Sequence, residues 1–173
     1  MAINPANLHI VHYPDPVLRK KAQPIEQIDE TVRDVAHRMI ELLHESEGVG
    51  LAAPQVGLPW RMFVANSQQE EDEADVVYIN PSIELLGELV AREEGCLSLP
   101  GINAEIRRPA AARITATDLA GETFSREDSD LLARVWQHEY DHLDGILILN
   151  RMTTIDRLAV RKAVRELETA AKG

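Results

Sequence analysis

The sequence contains a single cysteine, Cys96, among its 173 residues. One cysteine cannot form an internal disulfide, which fits a reducing compartment such as the cytoplasm. Long apolar runs are also missing: the longest purely aliphatic run is residues 146–149, too short to cross a membrane. The first ten residues, "MAINPANLHI", lack the basic segment followed by an apolar run that marks a signal peptide. We therefore expect a cytoplasmic protein with no membrane partner.

Basic charge is scarce as well. The chain has 18 Lys and Arg against 29 Asp and Glu, a net charge of −11. General nucleic-acid binding needs a basic surface, so this balance argues against free nucleic acid as a partner. No repeat, low-complexity block or Gly/Ser/Pro linker divides the sequence. With 45% hydrophobic residues, the chain is expected to form one domain over 1–173 with its own core.

Apolar residues at helical spacing predict three helices. The first is expected to begin at the capping residue Asp29 and to end before Gly48. Its inward face would consist of Val32, Val35, Ala36, Met39, Leu42 and Leu43. The second is expected to run from the cap Ser129 to near Gly145, and the third from about Thr154 to the C-terminus.

The middle of the chain has the composition of short strands. Four β-type segments separated by turn residues are found there, at 61–66, 76–80, 102–109 and 112–118. The segment "GVGLAAPQVG" (48–57) precedes them as a Gly/Pro-rich loop. Strands flanked by helices predict an α+β fold: a single compact domain, short β-sheets around a central helix, and a C-terminal helical segment at 151–173.

Chemistry is concentrated in "WQHEYDHLDG", residues 136–145. His138 and His142 are four residues apart, so they lie on one face of a helix and can bind the same ion. The row to which they belong is Leu131, Val135, His138 and His142. Because this row begins apolar, both imidazoles are expected to face the core, where one metal ion satisfies both. Glu139 would reach water at that metal as a general base.

The third ligand distinguishes the possible chemistries. A metzincin protease would need a third histidine at position 148, where this chain has Ile148. A carboxylate of the last helix, such as Glu166, is an alternative without a supporting motif. Cys96, in the Gly-flanked turn "REEGCLSLPG" (92–101), is the better candidate. Two histidines and a thiolate leave one tetrahedral position for water.

Three motifs appear in order: "GVGLAAPQVG", "EGCLS" and "QHEYDHLDG". With them, the chain resembles the peptide deformylase family from the "YPDPVLRKKAQP" lead-in to about Met152. The resemblance implies a hydrolase that removes the formyl group from the N-terminal formyl-methionine of new polypeptides. It also implies one divalent metal ion, often iron(II), held by Cys96, His138 and His142. Nickel, cobalt and zinc accept the same nitrogen and sulfur donors.

The resemblance also assigns roles to other residues. Glu139 would carry the water proton to the departing amine, while the Gln55 side-chain amide and the Leu97 backbone N–H would donate to the developing oxyanion. The carbonyl of Gly50 would accept the formamide N–H. Substrate methionine would lie against Val49 and Val135. Independently, Glu94 is expected to pair with Arg108 and to brace the Cys96 turn.

Segment 151–173 has six basic residues against three acidic ones, a net charge of +3 on an otherwise acidic chain. Family resemblance makes a contact with the ribosome near emerging formylated chains an expectation for this helix. The alternative is a helix whose Leu158, Ala159, Val164 and Leu167 cap the domain while its charges face water.

Two further functions remain compatible with the sequence. A zincin-like metallopeptidase would use a distant carboxylate as the third ligand and would tolerate loss of Cys96. A non-catalytic module would hold a structural metal through a fourth protein ligand, and it would leave Gln55 and Glu139 without roles.

Overall fold

The computed structural model describes residues 2–173. One antiparallel sheet has the strand order β1-β2-β3-β4-β5, so every strand pairs with its neighbour in sequence. The strands are β1 (Gly50–Ala52), β2 (Met62–Ala65), β3 (Val76–Gly95), β4 (Asn103–Thr117) and β5 (Thr123–Asp128). The helices are α1 (Glu30–Glu45), α2 (Leu131–Leu143), α3 (Ile148–Arg151), α4 (Thr154–Ala159) and α5 (Arg161–Ala170). Short 3-10 helices lie at Pro5–Asn7, Pro16–Arg19 and Ala53–Val56.

The α+β prediction is confirmed, but the structure has five strands where the sequence pattern indicated four, and β3 and β4 are much longer than predicted. The predicted strand at 76–80 is only the start of β3, and the two predicted strands at 102–109 and 112–118 form the single strand β4. β5 was not predicted, and neither was β1, which lies with the 3-10 helix Ala53–Val56 inside the segment 48–57 that was predicted as a loop. Pro109, which cannot donate to a ladder, suggested a break; it lies opposite Leu89, at a register shift where a proline is tolerated.

Helix α1 follows the prediction closely. Asp29 is its N-cap and accepts a hydrogen bond from the Val32 backbone N–H at 3.0 Å. All six predicted inward residues are buried, and they form one apolar cluster with β1 and β2. Successive residues of β2 point to opposite faces of the sheet. Met62 and Val64 therefore face the cluster with α1, whereas Phe63 faces a second apolar cluster that includes residues of α2.

Helix α2 packs against β1, β2 and β4. Its predicted cap was wrong by one residue: the N-cap is Asp130, not Ser129, and its side chain makes no capping bond. The Asp128 carboxylate caps this end instead, accepting from the backbone N–H groups of Asp130 and Ala133. At the other end the chain turns at Gly145, whose φ of +72° suits glycine.

The C-terminal segment is not one helix. It breaks at Val160, which separates α4 from α5. Val164 and Leu167 pack on a third apolar cluster, whereas Leu158 is 62% exposed, so the predicted capping face is only partly correct. Among the helices of residues 2–173, none combines the length and apolarity needed to span a bilayer.

Candidate metal centre

Three side chains from two elements meet at the centre of the molecule. His138 and His142 come from α2, and Cys96 follows the last residue of β3. The His138 and His142 Nε2 atoms are 3.2 Å apart, and Cys96 Sγ lies 3.4 Å from His142 Nε2. One ligand atom from each residue falls within 4.8 Å of the other two, close enough for all three to reach one ion. A thiolate with two imidazoles is a donor set that divalent transition metals accept.

The electrostatics of the three residues suit a cation. Burial and the neighbouring His138 hold the pKa of His142 well below its usual range, so this imidazole is neutral, the form that ligates metal. Burial also acts to lower the pKa of His138, but hydrogen bonds to Cys96 and Glu94 outweigh it and raise that pKa well above the usual value. The group therefore stabilises positive charge between the thiol and the Glu94 carboxylate, and a metal ion can supply that charge in place of a proton.

Glu94 orients the first histidine. The His138 Nδ1–H donates to Glu94 Oε2 at 3.1 Å, which leaves Nε2 directed at the other donors. The predicted pairing with Arg108 is confirmed, with contacts of 2.6 and 3.0 Å to the two carboxylate oxygens. Burial would raise the pKa of Glu94, yet the bonds from His138 and Arg108 lower it well below the usual range. This carboxylate is therefore charged, and it braces both the histidine and the turn that carries Cys96.

The buried charge extends to residues that the sequence did not single out. Arg108 also donates to Asp141 at 2.9 Å, and Arg151 donates to both oxygens of Asp141 at 2.7 and 3.0 Å. Arg134 adds a third cation at 2.7 Å from Glu94. Asp141 directly precedes His142 in "HEYDH". No spacing rule indicates that its carboxylate contacts Arg108.

Glu139 lies beside the donors in an apolar setting. It is 3% exposed, and its Oε2 has no hydrogen-bond partner within residues 2–173. Burial raises the pKa of Glu139 to about 7, although His138 acts in the opposite direction. A carboxyl whose pKa lies near neutrality can both accept and donate a proton at physiological pH.

Gln55 is held with its amide nitrogen towards the centre. Its Oε1 accepts from the Ala52 backbone N–H at 2.9 Å, which fixes the amide plane. The Nε2 group then lies 3.5 Å from Cys96 Sγ and 3.3 Å from Ser98 Oγ. The amide nitrogen thus lies between Cys96 and Ser98, held there by the 3-10 helix that follows β1.

A cavity of about 410 Å³ opens onto this cluster. Eight of the nine predicted site residues line it: Val49, Gly50, Gln55, Cys96, Leu97, Val135, His138 and Glu139. The ninth, His142, is 1% exposed and lies behind the cavity wall. The lining also includes Glu47, Gly48, Glu93, Leu131 and Arg134, which were not predicted. Arg134 lies one turn before His138 on α2, a spacing that could have pointed to it.

The alternative third ligands lie elsewhere. Ile148, at the position where a metzincin has its third histidine, is buried in the apolar cluster under the C-terminal helices. Glu166 is exposed on α5 and pairs with Lys162 at 3.9 Å. Within residues 2–173, the only group of three or more His, Cys, Asp or Glu side chains close enough to hold an ion is the Cys/His/His set.

Comparison with known proteins gives a consistent result. A family model described as polypeptide deformylase matches residues 7–158. The chain is 44% identical over 163 residues to a chloroplastic/mitochondrial peptide deformylase 1B of Arabidopsis thaliana, covering 93% of this chain and 60% of that protein. It is 39% identical over 164 residues to the peptide deformylase of Acidobacterium capsulatum, covering 94% and 96%. The chain therefore spans about 60% of the plant relative's length but nearly all of the bacterial one.

A similar fold is found among solved structures. The crystal structure of a plant peptide deformylase superposes with a TM-score of 0.91 at 42% identity, covering 96% of this chain and 91% of that one. A peptide deformylase from Plasmodium falciparum gives a TM-score of 0.89 at 36% identity, covering 95% and 97%.

Proposed function

The chain belongs to the polypeptide deformylase family, and from that membership we propose that it hydrolyses the formyl group from the N-terminal formyl-methionine of newly made polypeptides, releasing formate. One observation carries the proposal. The Cys96, His138 and His142 ligand atoms lie within 4.8 Å of one another beside a cavity. The same cavity is lined by Glu139, whose Oε2 is buried and has no hydrogen-bond partner in residues 2–173. A metal-assisted amide hydrolase needs this combination.

Cys96, His138 and His142 would hold one divalent ion. When bound, this ion supplies positive charge that polarises the formyl carbonyl and makes water more acidic. The proposed ion is iron(II), although zinc, nickel and cobalt accept the same donors. Glu94 would keep His138 in the ligating tautomer through its 3.1 Å contact with Nδ1.

Glu139 is the proposed proton carrier. Its carboxylate would accept a proton from the attacking water as the water oxygen bonds to the formyl carbon. It would then deliver that proton to the methionine nitrogen as the carbon–nitrogen bond breaks, which leaves formate and a free amine. A pKa of about 7 allows both steps near neutral pH.

Gln55 and Leu97 are the proposed donors to the developing oxyanion. The bond from the Ala52 N–H to Gln55 Oε1 orients the amide before substrate arrives, so no reorganisation is needed during reaction. Leu97 follows Cys96 directly and lines the same cavity, where its backbone N–H would provide the second donor.

Substrate would be held by residues of β1, of the loop before it and of α2. The Gly50 carbonyl is the proposed acceptor for the formamide N–H, and Val49 and Val135 would contact the methionine side chain. All three residues line the cavity. A methionine thioether suits this partly apolar, irregular space.

Neither alternative function gains support. A metallopeptidase with a distant carboxylate ligand needs an Asp or Glu beside the two histidines; Glu166, the candidate from the last helix, is exposed on α5 away from the cavity lining. A closed structural site requires a fourth protein ligand, and the candidate group in residues 2–173 has three.

The decisive experiment is an anaerobic assay of formate release from a formyl-Met peptide, with metal analysis of the same sample. We expect formate and about one metal ion per chain, the stoichiometry of a three-ligand site. Cleavage of internal peptide bonds without formate would reject the proposal. Iron as the dominant metal in protein purified without oxygen would support iron(II).

We propose the cytoplasm of a bacterial-type cell as the compartment, because a single free thiol, Cys96, fits a reducing environment. Relatives include one named chloroplastic/mitochondrial as well as bacterial proteins. Fractionation of the source cells tests the proposal, and recovery in an organelle would contradict it.

Ribosome contact through the C-terminal segment is a further part of the proposal. A groove of about 330 Å³ between α3, α4, α5 and the 3-10 helix Pro16–Arg19 supports it, although Glu168 also lines it. Four arginines line this groove: Arg19, Arg157, Arg161 and Arg165. Such a cluster on an acidic protein suits RNA phosphates.

Charge reversal tests this contact better than truncation, because Val164 and Leu167 pack against the third apolar cluster, which truncation would expose. The variant Arg157→Glu/Arg161→Glu should sediment less with ribosomes and with a weaker salt dependence, while peptide deformylation is unchanged. Lys162→Glu is the control, because Lys162 follows Arg161 on α5 and is 91% exposed but lies outside the groove. Equal sedimentation of all three proteins would remove the docking proposal.

A further inference from the structure

Ser98 carries a buried hydroxyl that has no role in the mechanism above. Its side chain is 0% exposed and lies outside the cavity lining, although Cys96 and Leu97 just before it line the cavity. Buried hydroxyls are normally hydrogen-bonded, and here the Gln55 Nε2 group donates to Ser98 Oγ at 3.3 Å. Ser98 therefore contacts the proposed oxyanion donor from behind the cavity wall.

The contacts of the Gln55 amide fix its orientation. Its Oε1 accepts from the Ala52 N–H at 2.9 Å, so the nitrogen and not the oxygen lies towards Ser98. An amide nitrogen carries two N–H groups, which diverge at a fixed angle in the amide plane. With one N–H bonded to Ser98 Oγ, the other is directed to the Cys96 side, where Sγ lies 3.5 Å from Nε2. This second N–H is the one available to an oxyanion beside Cys96.

The backbone also holds Ser98 in place against Gln55. The Val11 N–H donates to the Gln55 carbonyl at 2.8 Å, and the Tyr13 N–H donates to the Ser98 carbonyl at 2.9 Å. One short segment near the N-terminus thus binds both residues, which come from distant parts of the chain. Gln55 is itself only 1% exposed, so water does not compete for its contact with Ser98. The contact is therefore formed before any substrate binds.

We propose that Ser98 is a positioning residue for the oxyanion donor: its hydroxyl accepts one N–H of Gln55 and so directs the other N–H at the developing oxyanion. The proposal rests on the proposed deformylase function and adds a residue to it. An oxyanion develops only in the transition state, so loss of Ser98 should lower kcat and leave KM unchanged. Metal content should also stay the same, because Ser98 is not one of the clustered donors.

Ser98→Ala tests the proposal with the smallest change that removes the hydroxyl. We expect kcat to fall about tenfold, less than the hundredfold expected for loss of an oxyanion donor itself. Ser46→Ala is the control, because the half-buried Ser46 hydroxyl donates to the Leu43 carbonyl at 3.0 Å outside the cavity lining. This control should keep the kcat of the parent.

The assay separates failure of the proposal from failure of the proposed function. A Ser98→Ala variant with the kcat of the parent, measured on a parent that releases formate, would overturn the inference and leave the deformylase function intact. A parent that releases no formate would overturn both. A change confined to KM would also overturn the inference, because it would assign Ser98 to ground-state binding.

A double-mutant cycle distinguishes positioning from packing. In Gln55→Ala no amide remains for Ser98 to orient, so adding Ser98→Ala should not lower kcat further. If the two losses multiplied instead, Ser98 would act independently of Gln55 and the inference would be wrong.

NMR of the zinc-loaded protein tests the contact without relying on activity or on a variant. The Gln55 side-chain NH2 protons of the parent should show a nuclear Overhauser effect to the Ser98 β-protons. In Ser98→Ala, one of these two NH2 signals should move upfield because its acceptor is lost. Absence of the Overhauser effect in the parent, or unchanged NH2 signals in the variant, would overturn the inference.

Discussion

Gly50 and Glu139 are in such close contact that no side chain fits between them. A Cβ on Gly50 would lie 2.6 Å from Glu139 Oε1 and 2.8 Å from its Cγ. Val135 Cγ1 would be equally close, at 2.8 Å. The φ of Gly50 is not positive, so close approach rather than backbone conformation requires glycine here. Gly50, the first residue of β1, therefore fixes the position of the proposed proton carrier on α2.

Gly50→Ala should consequently displace the Glu139 carboxylate. We expect kcat to fall about a hundredfold, the scale of a misplacement of roughly 1 Å in an active site, with metal content retained. Gly48→Ala is the control, because a Cβ there would meet the ends of the flexible Leu97 and Leu43 side chains at 3.0 and 3.2 Å. Full activity of Gly50→Ala would show that the carboxylate position is not critical.

Glu139→Gln tests the proton carrier directly. The amide keeps the shape of the side chain but cannot accept a proton, so we expect a loss of about two or more orders of magnitude in kcat. Metal content should be unchanged, because Glu139 is not one of the three clustered donors. A variant that retains both its metal and near-normal turnover would reject the mechanism.

Gln55→Glu removes the amide donors while keeping the acceptor. Its Oε1 could still receive the Ala52 N–H, whereas an oxygen would replace the Nε2 group now 3.5 Å from Cys96 Sγ. We expect kcat to fall by about a hundredfold or more, as for other oxyanion donors. If steady-state kinetics showed a change in KM alone, Gln55 would be a ground-state binding residue instead.

Cys96→Ala should lower metal content and activity together. Removing the thiolate leaves two imidazoles as ligands, so the site binds a metal ion less tightly. Because metal binding is coupled to folding, the metal then stabilises the folded state less. We therefore expect the purified variant to have less metal and a lower Tm than the parent. One metal ion per chain with full activity would make Cys96 a packing residue.

Local patterns explain what could be predicted about the fold. Helix α1 follows from its Asp29 cap and its apolar stripe, both of which depend on neighbouring residues alone. The far part of β3 could not be found in this way, because residues 82–93 are mostly exposed and show no inward alternation. Its strand conformation comes from pairing with β4, a contact that local sequence does not encode.

The same distinction applies to the site. The spacing of His138 and His142 is a local signal, and their meeting with Cys96 followed from donor chemistry and resemblance. The contacts of Asp141 with Arg108 and Arg151 join distant elements, and no short motif indicates them. Ion pairs of this kind depend on the side-chain directions of the folded chain.

Arg108→Met should destabilise the protein strongly, because Arg108 is 4% exposed and joins two buried carboxylates, Glu94 and Asp141. Removing one partner of a buried ion pair typically costs about 3–5 kcal/mol. Arg134 and His138 would still contact Glu94, and Arg151 would still contact Asp141.

The loss from Arg108→Met should therefore fall at the lower end of that range, about 3 kcal/mol in the free energy of unfolding. Arg113→Met is the matched control, because Arg113 also joins two carboxylates but on an exposed part of the sheet. Water and salt screen such exposed pairs, so this variant should unfold at nearly the same urea concentration as the parent. If urea unfolded the two variants at the same concentration, burial would not be what makes the Glu94–Arg108–Asp141 contacts important, and the bracing role assigned to Glu94 would lose its basis.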